Sequence, residues 1–182
     1  RFGPRLITSG PSLNGNSVSG PADGERQVRD QHSAGYDFLK IHPGLTAAEY
    51  RAIANTANEL GMPFAGHVPV AVGLDGVFAA GMATIDHLDG YFAALLPPAS
   101  QGLGGYGGFF GVMLAAELDT ARIAEIAAAT AAAGTWNVPT QVLVELRINL
   151  ASLVINSTID PDHIGQKTAL FLPACDPPSL AT

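Results

Sequence analysis

Charged residues are scarce in this sequence, and basic residues are the scarcer kind. Aspartate, glutamate, lysine and arginine make up 14% of the 182 residues, against about a quarter in ordinary globular proteins. The 9 basic and 16 acidic residues leave a net charge of −7. This balance argues against nucleic acid and against an anionic membrane surface, because both bind clustered lysine and arginine. A surface so poor in charge predicts that part of it is normally covered.

Cysteine and long apolar runs are also nearly absent. Cys175 is the only cysteine, which excludes an internal disulfide and any site built from several cysteines. No stretch reaches the roughly 18 consecutive apolar residues of a membrane-spanning helix. Residues 1–5 (RFGPR) contain neither an initiator methionine nor a signal peptide, which predicts that the chain is an internal part of a longer protein. The sequence indicates no particular compartment.

The sequence does contain 47% hydrophobic residues, arranged as short apolar runs that alternate with helical segments. We predict strands where the apolar runs are short and helices where a glycine ends a periodic segment. The glycine-rich residues 91–116 predict a long loop, and the residues beyond 156 predict an irregular tail. The predicted strands are residues 5–9, 36–42, 63–68, 83–88 and 136–142, and the predicted helices are residues 25–34, 46–60, 72–80, 120–133 and 145–154.

This alternation predicts an α/β fold with a parallel sheet covered by helices. The regular spacing is compatible with a (β/α)8 barrel or with a doubly wound sheet. A complete barrel needs about 250 residues. With about five predicted strands in 182 residues, the barrel alternative would be a partial barrel.

Three polar residues stand at the ends of three successive predicted strands. Lys40 is near the end of YDFLKIH, while His67 and His87 are the last residues but one of PFAGHV and ATIDHL. Because the carboxyl ends of parallel strands meet at one edge, we expect these side chains to share a site. Two neutral imidazoles are good zinc ligands, and a buried neutral lysine can react with carbon dioxide to give a metal-bridging carbamate. The same lysine would also suit a Schiff-base aldolase.

Other polar residues near these strand ends are candidates for contacting a substrate. His42 follows Lys40 by two positions and therefore shares its strand face. Asp89 lies on the His87 side and is expected to contact the substrate or to orient a metal ligand. Alternation predicts that Asp86 points away from His87. The candidate substrate contacts, including two from the last predicted strand, are His42, Asp89, Asn137 and Thr140.

Four segments resemble the amidohydrolase superfamily, in particular its imidazolonepropionase-like and prolidase-like metal-dependent hydrolases. In that superfamily the fourth strand of a barrel supplies a lysine that becomes carboxylated, and the fifth and sixth strands each supply a histidine ligand. The resemblance implies that Lys40, His67 and His87 hold one or two divalent metal ions, zinc first among them, with a carbamate on Lys40. The segments are AGYDFLKIHPGL (34–45), LGMPFAGHVP (60–69), AGMATIDHLD (80–89) and TWNVPTQ (135–141).

The resemblance covers about residues 3–156 and departs from the superfamily pattern at both ends. The His-x-His pair of the first barrel strand has no counterpart here, and no strand-end aspartate follows residues 136–142. The implied fold is a partial TIM barrel with about strands 3 to 7, incomplete at both ends. It would occupy residues 1–156, followed by an irregular tail at 157–182.

Three functions remain open from the sequence. The resemblance implies a metal-dependent hydrolase that uses metal-activated water to cleave a C–N bond in a small amide, cyclic amide or peptide. The alternatives are a Schiff-base aldolase that uses Lys40 and a non-catalytic, truncated fragment. Because metal ligands of the superfamily pattern are missing, we expect the isolated chain to be nearly inactive. The oligomeric state stays open.

Overall fold

The computed structural model describes residues 3–101, 109–140 and 142. The chain divides into two compact units, Arg1–Pro139 and Thr140–Thr182, and the sheet and helices below belong to the first. The predicted helix at 145–154, the predicted boundary at 156 and the predicted tail lie outside the described residues. In the part of the chain that is described, no helix is both long enough and apolar enough to cross a bilayer.

The first unit contains a four-stranded sheet in which all strands are parallel. The strands pair in the order of the sequence, β1-β2-β3-β4, with no reversal of direction along the sheet. This arrangement confirms the predicted α/β fold with a parallel sheet. It differs from a doubly wound sheet, in which the strand order reverses at a switch point. The strands are β1 (Leu39–Ile41), β2 (Phe64–Gly66), β3 (Thr84–Asp86) and β4 (Trp136–Val138).

Each connection between these strands contains a helix, as expected for parallel pairing. A helix precedes β1, and each following strand is reached through at least one further helix. Two 3-10 segments, Phe109–Glu117 and Thr120–Arg122, lie between the fourth and fifth α-helices. The α-helices are α1 (Pro21–Ser33), α2 (Ala47–Glu59), α3 (Gly73–Ala79), α4 (Tyr91–Ala94) and α5 (Ile123–Ala132).

The start of α2 follows from a local sequence pattern. The Thr46 hydroxyl accepts a hydrogen bond from the Glu49 backbone N–H at 3.2 Å, and the Glu49 carboxylate accepts one from the Thr46 backbone N–H at 2.8 Å. This reciprocal arrangement is a capping box, as the sequence predicts. The hydrogen bonds from Thr46 hold the pKa of the Glu49 carboxyl below its ordinary value. By contrast, α1 begins at Pro21 rather than at residue 25, since proline is well accommodated in a first helical turn.

The two faces of the sheet have different surroundings. Side chains alternate along each strand, and one face carries Leu39, Ile41, Phe64 and Ile85, each at most 1% exposed. These residues form one hydrophobic cluster with the inner faces of the helices. The opposite face carries a row of partly exposed residues: Lys40, Ala65, Thr84 and Asp86.

The structure differs from the prediction at residues 5–9, 91–116 and 136–142, and it also shortens the other three predicted strands to three residues each. Residues 5–9 form no strand and contribute only an isolated parallel bridge from Ser9 to Phe38, because one short apolar run gains little at an exposed edge. The predicted loop at 91–116 begins with α4, and its last residues form a 3-10 helix; residues 102–108 lie outside the described residues. The last predicted strand, 136–142, is shorter, since β4 ends at Val138 and Pro139 follows directly.

Gly66 allows β1 and β2 to approach closely at the end of β2. Its φ is +130°, and a Cβ atom built there would lie 2.2 Å from the Ile41 carbonyl oxygen. The next residue, His67, donates its backbone N–H to the same Ile41 carbonyl at 3.0 Å. A side chain at position 66 would therefore push apart the two strands immediately before His67.

We predict that Gly66→Ala lowers the free energy of unfolding by at least about 2 kcal/mol, through both backbone strain and the overlap with Ile41. The control is Gly134→Ala, where φ is +68° but no atom lies within 4 Å of the added Cβ. That variant should lose only about 1 kcal/mol, from the left-handed backbone alone. Urea unfolding measures both, and equal losses would show that the contact with Ile41 is unimportant.

Candidate functional site

Three histidines come together at the carboxyl ends of β1, β2 and β3. His42, His67 and His87 each follow directly after a strand, and we call them the histidine cluster. The ring centroids of His42 and His67 are 4.9 Å apart, and those of His67 and His87 are 5.0 Å apart. His67 is central to the cluster and only 8% exposed. Parallel pairing of the strands produces this convergence, since it brings their carboxyl ends to one edge.

A strained turn brings His87 to His67. The strand alternation ends at Asp86, and the next two residues, His87 and Leu88, have φ values of 60° and 57°. Left-handed backbone is unfavourable for residues with a Cβ, so the surrounding hydrogen bonds must hold it. The His87 N–H donates to the Val138 carbonyl at 2.8 Å, and the Asp89 N–H donates to the Asp86 carbonyl at 2.9 Å.

The same turn places the Asp89 carboxylate against His67. Asp89 Oδ2 lies 3.2 Å from His67 Nδ1 and accepts the Val68 backbone N–H at 3.1 Å. A carboxylate at Nδ1 favours the tautomer with its proton on Nδ1. The geometry is that of a residue that orients a histidine, which is one of the two roles predicted for Asp89.

Lys40 forms an ion pair with Asp86 across the middle strand. The Lys40 ammonium extends from β1 over Ala65 of β2 to the Asp86 carboxylate on β3. Both side chains are about four-fifths buried. The sequence predicts that Asp86 alternates away from His87; in the structure β3 ends at Asp86, whose carboxylate shares the face of Thr84 and pairs with Lys40. If β3 had been predicted to end at Asp86, the alternation of side chains would have placed this acidic residue on the face of Thr84.

Burial keeps the outer histidines of the cluster neutral. Loss of solvent contact, reinforced by the nearby His67 ring, lowers the pKa of His42 and of His87 below the ordinary value. Lys40 acts in the same direction on both rings, while Asp86 opposes it. A neutral imidazole has a free nitrogen lone pair, which is the form that binds metal ions.

Of the two predicted substrate contacts from the last predicted strand, Asn137 lies away from the histidine cluster. Asn137 is in register with Ile85, on the face of the sheet that the helices cover. Its side-chain amide donates to the Tyr91 hydroxyl at 3.0 Å, so the structure does not bring it to the histidine cluster. Thr140 is the first residue of the second unit, where its φ is 46°. Their predicted contact with substrate stays a prediction.

Two residues at this edge have side chains of a kind that binds divalent metals. His67 and His87 offer two imidazole nitrogens, which zinc favours. Within the ranges that the structure describes, no three side chains of the His, Cys, Asp and Glu types are arranged to hold an ion. A metal seated on the two histidines would therefore need a further ligand of another kind, and Lys40 qualifies only after it leaves Asp86 and becomes a carbamate.

Comparison with known proteins supports the fold. The chain is similar to the structure of a Xaa-Pro dipeptidase with methionine bound in its active site, with 21% identity and a TM-score of 0.50 over 88% of this chain. A bottromycin amidohydrolase matches 52% of the chain at 30% identity, with a TM-score of 0.42. The chain spans 39% and 23% of these two structures, so it corresponds to part of each. No protein-family model and no curated protein sequence matches it.

The lowered pKa values predict a loss of stability in mild acid. The unfolded chain binds protons on His42 and His87 at a higher pH than the folded chain does, so protonation favours unfolding. The contribution of these two histidines to the free energy of unfolding is complete above the ordinary histidine pKa of 6.5. It is lost as the pH falls from that value through the lowered pKa values of the folded chain. We expect urea unfolding to show lower stability at about pH 5.5 than at about pH 7.5. His42→Gln should reduce that difference, with His32→Gln, at an exposed position on α1, as the control.

The contact between Asp89 and His67 predicts a change of tautomer on mutation. In Asp89→Asn the charged acceptor at His67 Nδ1 is lost, so the tautomer protonated at Nε2 should become more populated. Nitrogen-15 NMR of the imidazole rings distinguishes the two tautomers. Asp30→Asn, at an exposed aspartate on α1, should leave the His67 signals unchanged. An unchanged His67 spectrum in Asp89→Asn would show that Asp89 does not orient the ring.

Proposed function

We propose that this chain is part of a metal-dependent hydrolase that cleaves C–N bonds in a small amide, cyclic amide or peptide. The observation that carries the proposal is the convergence of His42, His67 and His87 beside Lys40 at the carboxyl edge of a parallel sheet. This edge is where α/β enzymes bind their ligands. The proposal concerns the whole protein to which the chain contributes, and zinc is the proposed metal.

A partial (β/α)8 barrel is the proposed architecture. Two features support it: the strands pair in sequence order, and the helices pack on one face of the sheet. In a barrel the other face points inward, and here that face carries Lys40, Ala65, Thr84 and Asp86. Trp136 and Val138 lie on the same face at the edge of the sheet and are 77% and 44% exposed. Further strands would cover these apolar side chains.

Each polar residue of the site has a proposed task. His67 and His87 would bind the metal through imidazole nitrogens, with Asp89 holding the His67 ring in orientation. A bound divalent metal lowers the pKa of a water molecule and polarises the carbonyl of the substrate. Lys40 would complete the site as a carbamate: its amino group would lose one proton and leave Asp86, and the neutral amine would then add carbon dioxide with the loss of a second proton. Asp86 is placed to accept the first of these protons, since its carboxylate contacts the Lys40 amino group.

The proposal predicts that metal binding depends on His67 and Lys40. We expect His67→Ala and Lys40→Ala to lower zinc affinity by at least about tenfold, because each removes a ligand. Zinc bound after dialysis against a range of free zinc concentrations measures this directly. His32→Ala, at an exposed histidine on α1, is the matched control and should bind as the parent chain does.

The Schiff-base alternative gives a different result in a companion experiment. An aldolase would form a covalent bond between Lys40 and a carbonyl substrate, which borohydride reduction would trap and mass spectrometry would locate. Trapping at Lys40, together with zinc affinity unchanged in His67→Ala, would replace the hydrolase proposal with the aldolase one. We expect no trapping at Lys40, because the proposal makes this residue a carbamate, and a carbamate nitrogen does not attack a carbonyl group.

A further inference from the structure

A cavity of about 710 Å³ adjoins the histidine cluster on the side of Asp89. Its walls come from the segment after β2, from α3, from α4 and from α5. His67 and Asp89 both line it, whereas Lys40 and His87 do not. The volume lies within the range of about 300 to 1,000 Å³ that is usual for small-molecule sites.

The lining of the cavity is mainly apolar. Aliphatic and aromatic side chains from three helices and from the segment after β2 contribute to it, among them Val68, Leu74, Phe78, Phe92 and Ile126. Apolar walls with a few polar groups at one end are typical of sites that bind the body of a ligand and orient one polar group. Here two of the polar lining residues, His67 and Asp89, contact each other.

The charges on the lining disfavour an anionic ligand. Three carboxylates, those of Asp75, Asp89 and Glu125, line the cavity with one guanidinium, that of Arg122. That guanidinium is already engaged, because it donates to the Ala94 carbonyl at 2.7 Å and lies 3.6 Å from Glu125. A ligand carboxylate in the cavity would therefore meet a net negative surrounding.

We propose that this cavity binds the uncharged, apolar side group of the amide substrate, with the amide itself at His67 and Asp89. The proposal rests on the proposed function for the amide, and it adds the substrate class: neutral amides with an extended aliphatic or aromatic group. Carboxylates of the same size are excluded by charge. Burial of each further methylene should strengthen binding by up to about fourfold until the cavity is filled.

The test measures binding to the metal-free chain, so that it does not depend on turnover. Linear carboxamides from butanamide to octanamide, and octanoate as the anionic counterpart of octanamide, are titrated by ligand-observed NMR. Two variants of α5 form a matched pair: Ala129→Trp fills the cavity from an exposed position, and Ala128→Trp adds the same side chain at an exposed position outside the lining.

We expect affinity to rise along the carboxamide series and octanoate to bind at least about tenfold more weakly than octanamide. Ala129→Trp should abolish the increase in affinity with chain length, while Ala128→Trp should retain it. Equal affinity for all chain lengths, octanoate binding as tightly as octanamide, or a parent-like series in Ala129→Trp would each overturn the proposal. The hydrolase proposal fails by a different result: zinc binds His67→Ala as tightly as the parent chain. The carboxamides could still bind in that case, so the two failures are distinguishable.

Discussion

The close approach of β1 to β2 at Gly66 is the contact on which the candidate site depends. The Ile41 carbonyl oxygen lies too close to the position of a Cβ atom on residue 66 for any side chain to fit, and it also accepts the His67 N–H. One carbonyl thus fixes both the separation of the strands and the starting point of the His67 side chain. The His42 ring, which follows Ile41, and the His67 ring are then close enough for edge contact. Any residue larger than glycine at this position would disturb both at once.

Two carboxylates close together in the chain bind two different side chains of the site. Asp86 ends β3 and binds Lys40 on the open face of the sheet, while Asp89, three residues later, binds His67 beside the cavity. The left-handed residues His87 and Leu88 lie between them and reverse the chain. A short, strained segment therefore supplies the imidazole of His87 and orients that of His67.

Part of this arrangement could be predicted from the sequence because it depends on local patterns. The capping box at Thr46 and Glu49 needs only neighbouring residues, and the strand-end positions of Lys40, His67 and His87 follow from short apolar runs. The pairing of Asp86 with Lys40 could not be predicted, because the apolar pattern continues to residue 88 whereas β3 ends at Asp86. The contact from Asp89 to Val68 joins two separate connections, and no local pattern encodes it. The cavity likewise forms only when α3, α4 and α5 pack together.

The central claim is that His67 and His87 bind one metal ion together. X-ray absorption at the zinc edge of the zinc-loaded chain tests it most directly, because it counts imidazole ligands without requiring activity. The account predicts at least two histidine nitrogens at about 2.0–2.1 Å from zinc, and one fewer imidazole in His87→Ala. A spectrum with oxygen ligands alone, or an imidazole count that His87→Ala leaves unchanged, would contradict it.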